Sequence, residues 1–319
     1  MSTPRAGVGA PTRVPAPAFV LLLQITFVLL FSSGFIVGRI ATDAASPFAI
    51  LFWRFLLAGS LLTLIALVMR APWPRTGKEW RDLAITGSLL QTMQYAGTYL
   101  AFKYGISASL SAMIMGMMPL LVALGSWKLL NEPLTRMQTL GTFIGFAGLI
   151  FATVFGFGGG DGWSSILWTT FGTLGIAAGT LYQRKTGMQM DLRTGSAVQL
   201  FVAAAGMLPI ALLNEGISLP MTSPVVFSLS WLATANTLGA ITLLLYFLQN
   251  QSAGEASSLF YLMPGVTAIA AWLLLDQPIY WYTWVGLALT GLGLVLVARY
   301  TRTRQARHET GIALGETLR

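Results

Sequence analysis

The chain has no cysteine, and its one histidine, His308, stands in the C-terminal tail. Disulfides, a thiolate nucleophile and iron–sulfur clusters are thereby excluded. Charge is scarce as well: 9% of the 319 residues are Asp, Glu, Lys or Arg, against about 25% in soluble domains. No Asp or Glu falls near the middle of an apolar run, since Glu132, Glu255 and Asp276 all stand at run ends. A phosphate-cradling G-x-x-x-x-G-K-[ST] loop is missing, so ATP hydrolysis is not built in; GFGGGDG at Gly156–Gly162 reads as a flexible turn. An intramembrane enzyme would need a nucleophile, paired carboxylates or metal ligands within reach of one another. No catalytic residue, cofactor or metal site is therefore expected.

What the chain does have is apolar. Hydrophobic residues make up 55% and the mean hydropathy is +0.70, more than a soluble core of this size could hide. Runs of about 20 apolar residues are long enough to cross a bilayer as helices. Charge-free runs cover residues 18–38, 83–102, 104–127, 137–160, 162–183, 194–214, 256–275 and 277–298. A further run lies at 225–248, after Pro220 and Pro224, and another at 47–69 carries a single charge, Arg54. The expectation is an all-α integral membrane protein with ten transmembrane helices. If the N-terminus is cytoplasmic, sixteen of the nineteen Lys and Arg residues fall in cytoplasmic segments, so both termini are expected there. The net charge of +8 is then a matter of topology. The basic stretch RYTRTRQAR at Arg299–Arg307 reads as an anchor rather than a nucleic-acid or lipid-binding arm. The partners expected are the lipid bilayer and a small solute, with no nucleic acid.

The chain also repeats itself. MMPLLVALGSWKLLNEP at Met117–Pro133 returns as LMPGVTAIAAWLLLDQP at Leu262–Pro278, 145 positions later. Ten of the thirty-two residues from Met118 to Leu149 are identical at that offset, which also pairs Gly34 with Gly179, Arg39 with Arg184 and Phe102 with Phe247. The repeat spans five helices, and an odd number sends the second copy into the membrane from the opposite face. Because the first run has a partner in the second half, it is expected to be kept and not cleaved as a signal peptide. Inverted repeats mark secondary transporters, in which exchanging the conformations of the halves moves the opening from one side to the other. The organisation expected is a cytoplasmic segment at 1–17, repeats at 18–156 and 163–300, and a basic cytoplasmic tail at 301–319.

Five plus five helices, the P…W-x-L-L-x-x-P ending of the fourth and ninth runs, FSSGFIVGR at Phe31–Arg39 and WRF at Trp53–Phe55 resemble the EamA-type members of the drug/metabolite transporter superfamily. The pattern is most similar to the YddG branch, which exports aromatic and other amino acids. The resemblance implies an inner-membrane exporter of amino acids and similar small metabolites. It departs at one place: the family's Gly-Glu pair at the ends of the fourth and ninth helices is Asn131-Glu132 and Asp276-Gln277 here.

The candidate site residues begin with Gln91, Gln94, Tyr95, Thr98 and Tyr99, spaced i, i+3, i+4, i+7, i+8, one stripe of a helix. A polar stripe in lipid is costly unless it faces other helices or a wet cavity. It reads either as interhelical hydrogen bonding or, since five polar positions exceed what packing needs, as the lining of a substrate site. Asn236 matches Gln91 in the second half, and the other matched positions, Gly239, Ala240, Leu243 and Leu244, are apolar, so a cavity would be lopsided. Ser258 and Tyr261 offer further polar contacts in the ninth run. Met113, Met115, Met117 and Met118 read as core or as an adaptable surface. Pro119 and Pro264 should kink their helices, as a hinge or as a static bend. Arg54 reads as snorkelling or carbonyl-paired, or as the partner of a substrate carboxylate. Arg39 and Arg184 read as structural, and the glycines Gly141, Gly145, Gly148, Gly286 and Gly293 as helix-packing faces.

Taken together these readings predict a facilitator working by alternating access, since no membrane carboxylate or histidine is placed to carry a proton. An exporter of another metabolite or drug, with or without proton coupling, and a non-transporting sensor or scaffold are the alternatives. A monomer is expected, with a dimer left open.

Overall fold

The computed structural model describes residues 17–156, 162–188, 190–214, 216–250 and 262–297, and among these every regular element is a helix. In chain order they are α1 (Pro17–Ala44), α2 (Pro47–Val68), α3 (Gly77–Gly87), a π-helical turn (Ser88–Met93), α4 (Gln94–Lys103), α5 (Ala108–Met115), α6 (Met118–Leu129), α7 (Arg136–Gly156), α8 (Trp163–Thr186), α9 (Leu192–Asn214), α10 (Ser223–Trp231), a second π turn (Leu232–Gly239), α11 (Ala240–Asn250) and α12 (Met263–Leu275). A last helix, α13, runs from Trp281 to Val297. Among the described residues, six helices are by length and composition able to cross a membrane: Ala18–Ala44, Pro47–Val68, Ala108–Leu129, Arg136–Phe155, Leu192–Asn214 and Ser223–Leu243. The expected tails, the turn at 157–161, Ser258 and Tyr261 lie outside the described residues.

Local sequence explains where the helices begin. Pro47 opens α2, a position where the missing N–H costs nothing. At α3 the Thr76 hydroxyl accepts from the Glu79 amide and the Glu79 carboxylate accepts from the Thr76 amide, both at 3.2 Å. This capping box, with the amide of Arg75 added, holds the Glu79 carboxyl below its ordinary range. Pro119 is the second residue of α6, not the middle of a helix. The bend expected at this proline lies one turn earlier, at Gly116–Met117, because the ring would clash with the carbonyl of Met115 if the helix ran on. Pro264 likewise stands second in α12.

Around an apolar core, large apolar side chains also cover the outside and several polar ones are buried. Leu22, Phe143, Leu167 and Leu213 are exposed, while Arg54, Thr86, Ser111 and Thr173 are buried. Some buried hydroxyls close onto their own helix, as Thr86 to the Asp82 carbonyl at 2.9 Å and Thr173 to the Thr169 carbonyl at 2.9 Å, which spares those donors from facing hydrocarbon.

Glycines bring helix backbones together across the repeat. A Cβ on Gly141 would stand 2.7 Å from the Gly293 carbonyl oxygen, and one on Gly148 would stand 2.9 Å from that of Gly286. The contact between α7 and α13 is reciprocal: the 145-residue offset turns one pair into the other, as in an isologous contact between two copies. Between α4 and α8, a Cβ on Gly97 would stand 2.6 Å from the Gly172 amide. The two arginines matched by the repeat hold helix ends. Arg39 donates to the carbonyls of Phe102 and Ile106 at 2.7 and 3.1 Å. Arg184 donates to the Ser126 hydroxyl at 2.8 Å and to the Glu132 carboxylate at 3.1 Å, tying the two repeats together.

Candidate functional site

Where α1, α2, the two π turns, α4, α5, α9 and α11 meet, they line a cavity of about 160 Å³. Gln91, Gln94, Tyr95, Thr98 and Tyr99 all line it, and so does Asn236 from the second repeat. Gln91 belongs to the π turn and the other four to α4, so the stripe runs through a change of helix type. A π turn holds more residues than an α turn, yet Gln91 still reaches the cavity.

Pro119 and Pro264 stand away from the lining. Of the methionine run, Met115 lines the cavity and accepts a hydrogen bond from the Gln94 amide at 3.5 Å. Met113 and Met117 are buried in the core. The Thr98 hydroxyl is spent on the Gln94 carbonyl at 3.0 Å.

Arg54 organises the site. It enters from α2, is 2% exposed and does not snorkel; its partners are side chains, one of them the amide carbonyl of Asn236. Its Nη1 donates to the Tyr99 hydroxyl at 3.1 Å, and its Nη2 donates to the Tyr95 hydroxyl at 3.4 Å and to Asn236 Oδ1 at 2.9 Å. The Tyr95 ring lies under the guanidinium with its centroid 4.5 Å from Cζ, a cation–π arrangement. Phe55 meets that ring edge-on, at 5.3 Å between centroids. Asn236 is fixed in turn by donating from Nδ2 to the Leu30 carbonyl at 2.7 Å. The phenols of the stripe bond between helices, and the same side chains face the cavity.

The two sequence motifs now have physical content. In WRF, Trp53 donates from its indole to the Ile217 carbonyl at 2.9 Å, Arg54 turns into the cavity, and Phe55 braces Tyr95. In FSSGFIVGR, Ser33 accepts from the Trp231 indole at 2.9 Å, Phe31 and Phe35 line the cavity, and Arg39 holds the far end. Gly34 leaves room for an amide, since a Cβ there would meet Asn236 Nδ2 at 2.8 Å.

Sequence reasoning missed Ser196 and Thr237, which also line the cavity. Ser196 belongs to a polar cluster with Thr194 and Gln199 at the start of the seventh run. Thr237 stands beside Asn236 in the second π turn. As expected from the repeat's unequal residues, more of the polar lining comes from the first half.

The comparisons with known proteins agree with this architecture. The family described as EamA-like transporter family matches the chain twice, over residues 18–154 and 163–299. The "Uncharacterized transporter YvbV" of Bacillus subtilis is 25% identical over 297 residues, which are 92% of this chain and 96% of that protein. An "Uncharacterized transporter" of Archaeoglobus fulgidus is 28% identical over 86% of this chain and 96% of its own. The "Uncharacterized inner membrane transporter YedA" of Escherichia coli K12 is 23% identical over 84% and 87%. A solved crystal structure shares the fold with a TM-score of 0.62 at 16% identity, covering 89% of this chain and 99% of its own.

Proposed function

This chain belongs to the EamA-like transporter family, and we propose that it is a secondary transporter of the bacterial inner membrane that exports amino acids, aromatic and other neutral ones, and similar small metabolites. Ten membrane crossings in two inverted five-helix repeats, with both termini in the cytoplasm, would carry the solute by alternating access. The observation that carries the reading is the cavity between the repeats, walled by Tyr95, Tyr99, Phe31 and Phe35 and furnished with amides and hydroxyls. Aromatic faces with polar handles suit an amphipathic solute. At about 160 Å³ it falls below the roughly 300–1,000 Å³ of drug-sized sites, which favours a small metabolite. The inner-membrane assignment follows what the relatives' names say of YedA. The test is flux of radiolabelled phenylalanine into liposomes that contain this protein alone. Uptake above protein-free liposomes, competed by unlabelled solute, is the expected result; no flux of any neutral amino acid would defeat the proposal.

A further inference from the structure

We infer that Arg54 is the anion-binding residue of this cavity, so that the solute it accepts carries a carboxylate and seats it on the free edge of the guanidinium; this rests on the transporter reading above. A guanidinium keeps its proton in any protein environment, and a buried cation is costly unless an anion or a full set of acceptors meets it. The acceptors around Arg54 are neutral: two phenols and an amide. They occupy Nη1 and Nη2, while the buried Nε has no hydrogen-bond partner.

Among the described residues, Arg39, Arg81, Arg184 and Arg193 pair with carboxylates near helix ends. No described carboxylate pairs with Arg54. One open donor and one weakly held donor lie side by side. Nε is unpartnered, and the adjacent Nη2 holds Tyr95 only at 3.4 Å, a bond that a stronger acceptor would displace. Two parallel N–H donors match the two oxygens of a carboxylate, the geometry in which arginine binds that group best. The Tyr95 ring beneath and Asn236 beside it fix the guanidinium of Arg54, a residue of the cavity lining.

A purely structural Arg54, tying α2 to α4 and to the second π turn, is the competing account, and ligand chemistry separates the two. Ligand-induced thermal stabilisation of the detergent-purified protein is measured with L-phenylalanine, 3-phenylpropionate and L-phenylalaninamide. Both acids should bind and the amide should bind at least about tenfold more weakly, the scale of a lost charge-assisted pair. Arg54→Gln should lose that discrimination. Arg54→Lys, which keeps the charge without the fork, should retain weaker acid binding, and it serves if the glutamine variant fails to fold. Equal binding of acid and amide, no binding of either acid, or unchanged acid selectivity in Arg54→Gln would each overturn the assignment. Flux measured on the same compounds keeps the two readings apart. Transport of the amide as fast as the acid refutes the anion site and leaves the transporter standing. Selective acid binding without flux supports the anion site and counts against transport.

Discussion

Asn131 and Asp276 end two helices 145 residues apart in the sequence with the same left-handed turn, at φ of 54° and 52°. The next amide closes each cap alike: Glu132 donates to the Ser126 carbonyl and Gln277 to the Ala271 carbonyl, both at 3.2 Å. A left-handed residue costs most L side chains about 1–2 kcal/mol, and glycine, asparagine and aspartate least. The family's glycine is thus replaced by the two residue types that tolerate its conformation. The residue after it differs in reach. The Glu132 carboxylate meets Arg184 at 3.1 Å, whereas Gln277 Oε1 accepts from the Ala108 amide at 3.0 Å.

Replacing Asn131 or Asp276 by glycine should therefore leave thermal stability unchanged or slightly raised. Asn131→Val should lower it by about 1–2 kcal/mol, because a branched Cβ fits the left-handed region poorly. Unfolding of the purified variants in detergent is the measurement; valine and glycine variants of equal stability would contradict this account.

Gly293→Ala should destabilise by about 1–3 kcal/mol, the usual cost of overpacking. Its Cβ would press on the Gly145 amide nitrogen at 2.6 Å, and backbone cannot step aside. Gly265→Ala is the control: nothing lies within 4 Å of its Cβ, so the same measurement should show no loss.

In liposome flux, Tyr99→Phe should slow transport on the order of tenfold, since it strips an acceptor from a buried guanidinium at a cost of about 1–3 kcal/mol. Tyr95→Ala, which removes the ring under Arg54, should do at least as much. Gly34→Ala should reproduce part of the effect by displacing Asn236. Wild-type rates in all three, at equal protein insertion, would show that this cavity is not the path.

Acid should weaken the fold through Asp191, which lies outside the spans. Its carboxyl is held below the ordinary value of about 3.9, chiefly by the Arg193 side chain at 2.6 Å. A depressed folded pKa gives stability that is present above the unfolded value and lost as pH falls through the folded one. The amount is small, at most about 1 kcal/mol with solvent screening. Asp191→Asn should be less stable than wild type at pH 6, and the gap should close below about pH 3.9. A gap that persists at low pH would assign the stability to something other than this charge.

Export of a neutral amino acid should follow its own gradient, with no need of a pH gradient. Carriers that move protons place a titratable group on the path, and the described lining offers amides, hydroxyls, phenols and an arginine. Concentrative uptake that appears with an imposed proton gradient and collapses with a protonophore would refute this.

Much of this was legible in the sequence. The stripe from Gln91 to Tyr99 could be read because helical spacing brings polar residues to one face whatever surrounds them. The glycines Gly141 and Gly293 could be read because small residues signal close approach. The π turns could not, since Ser88–Met93 and Leu232–Gly239 carry no proline or glycine pattern that demands a wider helix. Nor could the partners of Arg54. Its bonds reach 41, 45 and 182 residues along the chain, and only the packed fold sets such distances. The same holds for Ser196, whose place in the lining depends on how α9 is turned.

Exchange the two repeats and Gly141 lands on Gly286 while Gly293 lands on Gly148, so the joint between α7 and α13 maps onto itself. A fixed point of the exchange has nothing to break when the halves trade shapes, and it can be as tight as two backbones allow. The joint of Gly97 with Gly172 enjoys no such exemption, for the same offset carries it to Thr242 and Phe27. A branched Cβ and a ring keep backbones apart there, and Phe27 instead meets the Phe247 ring edge-on, at 5.6 Å between centroids. One joint therefore packs main chain against main chain and its counterpart in the other half side chain against side chain. An exchange of shapes between the halves would therefore trade joints of different chemistry, and its two end states would differ in energy.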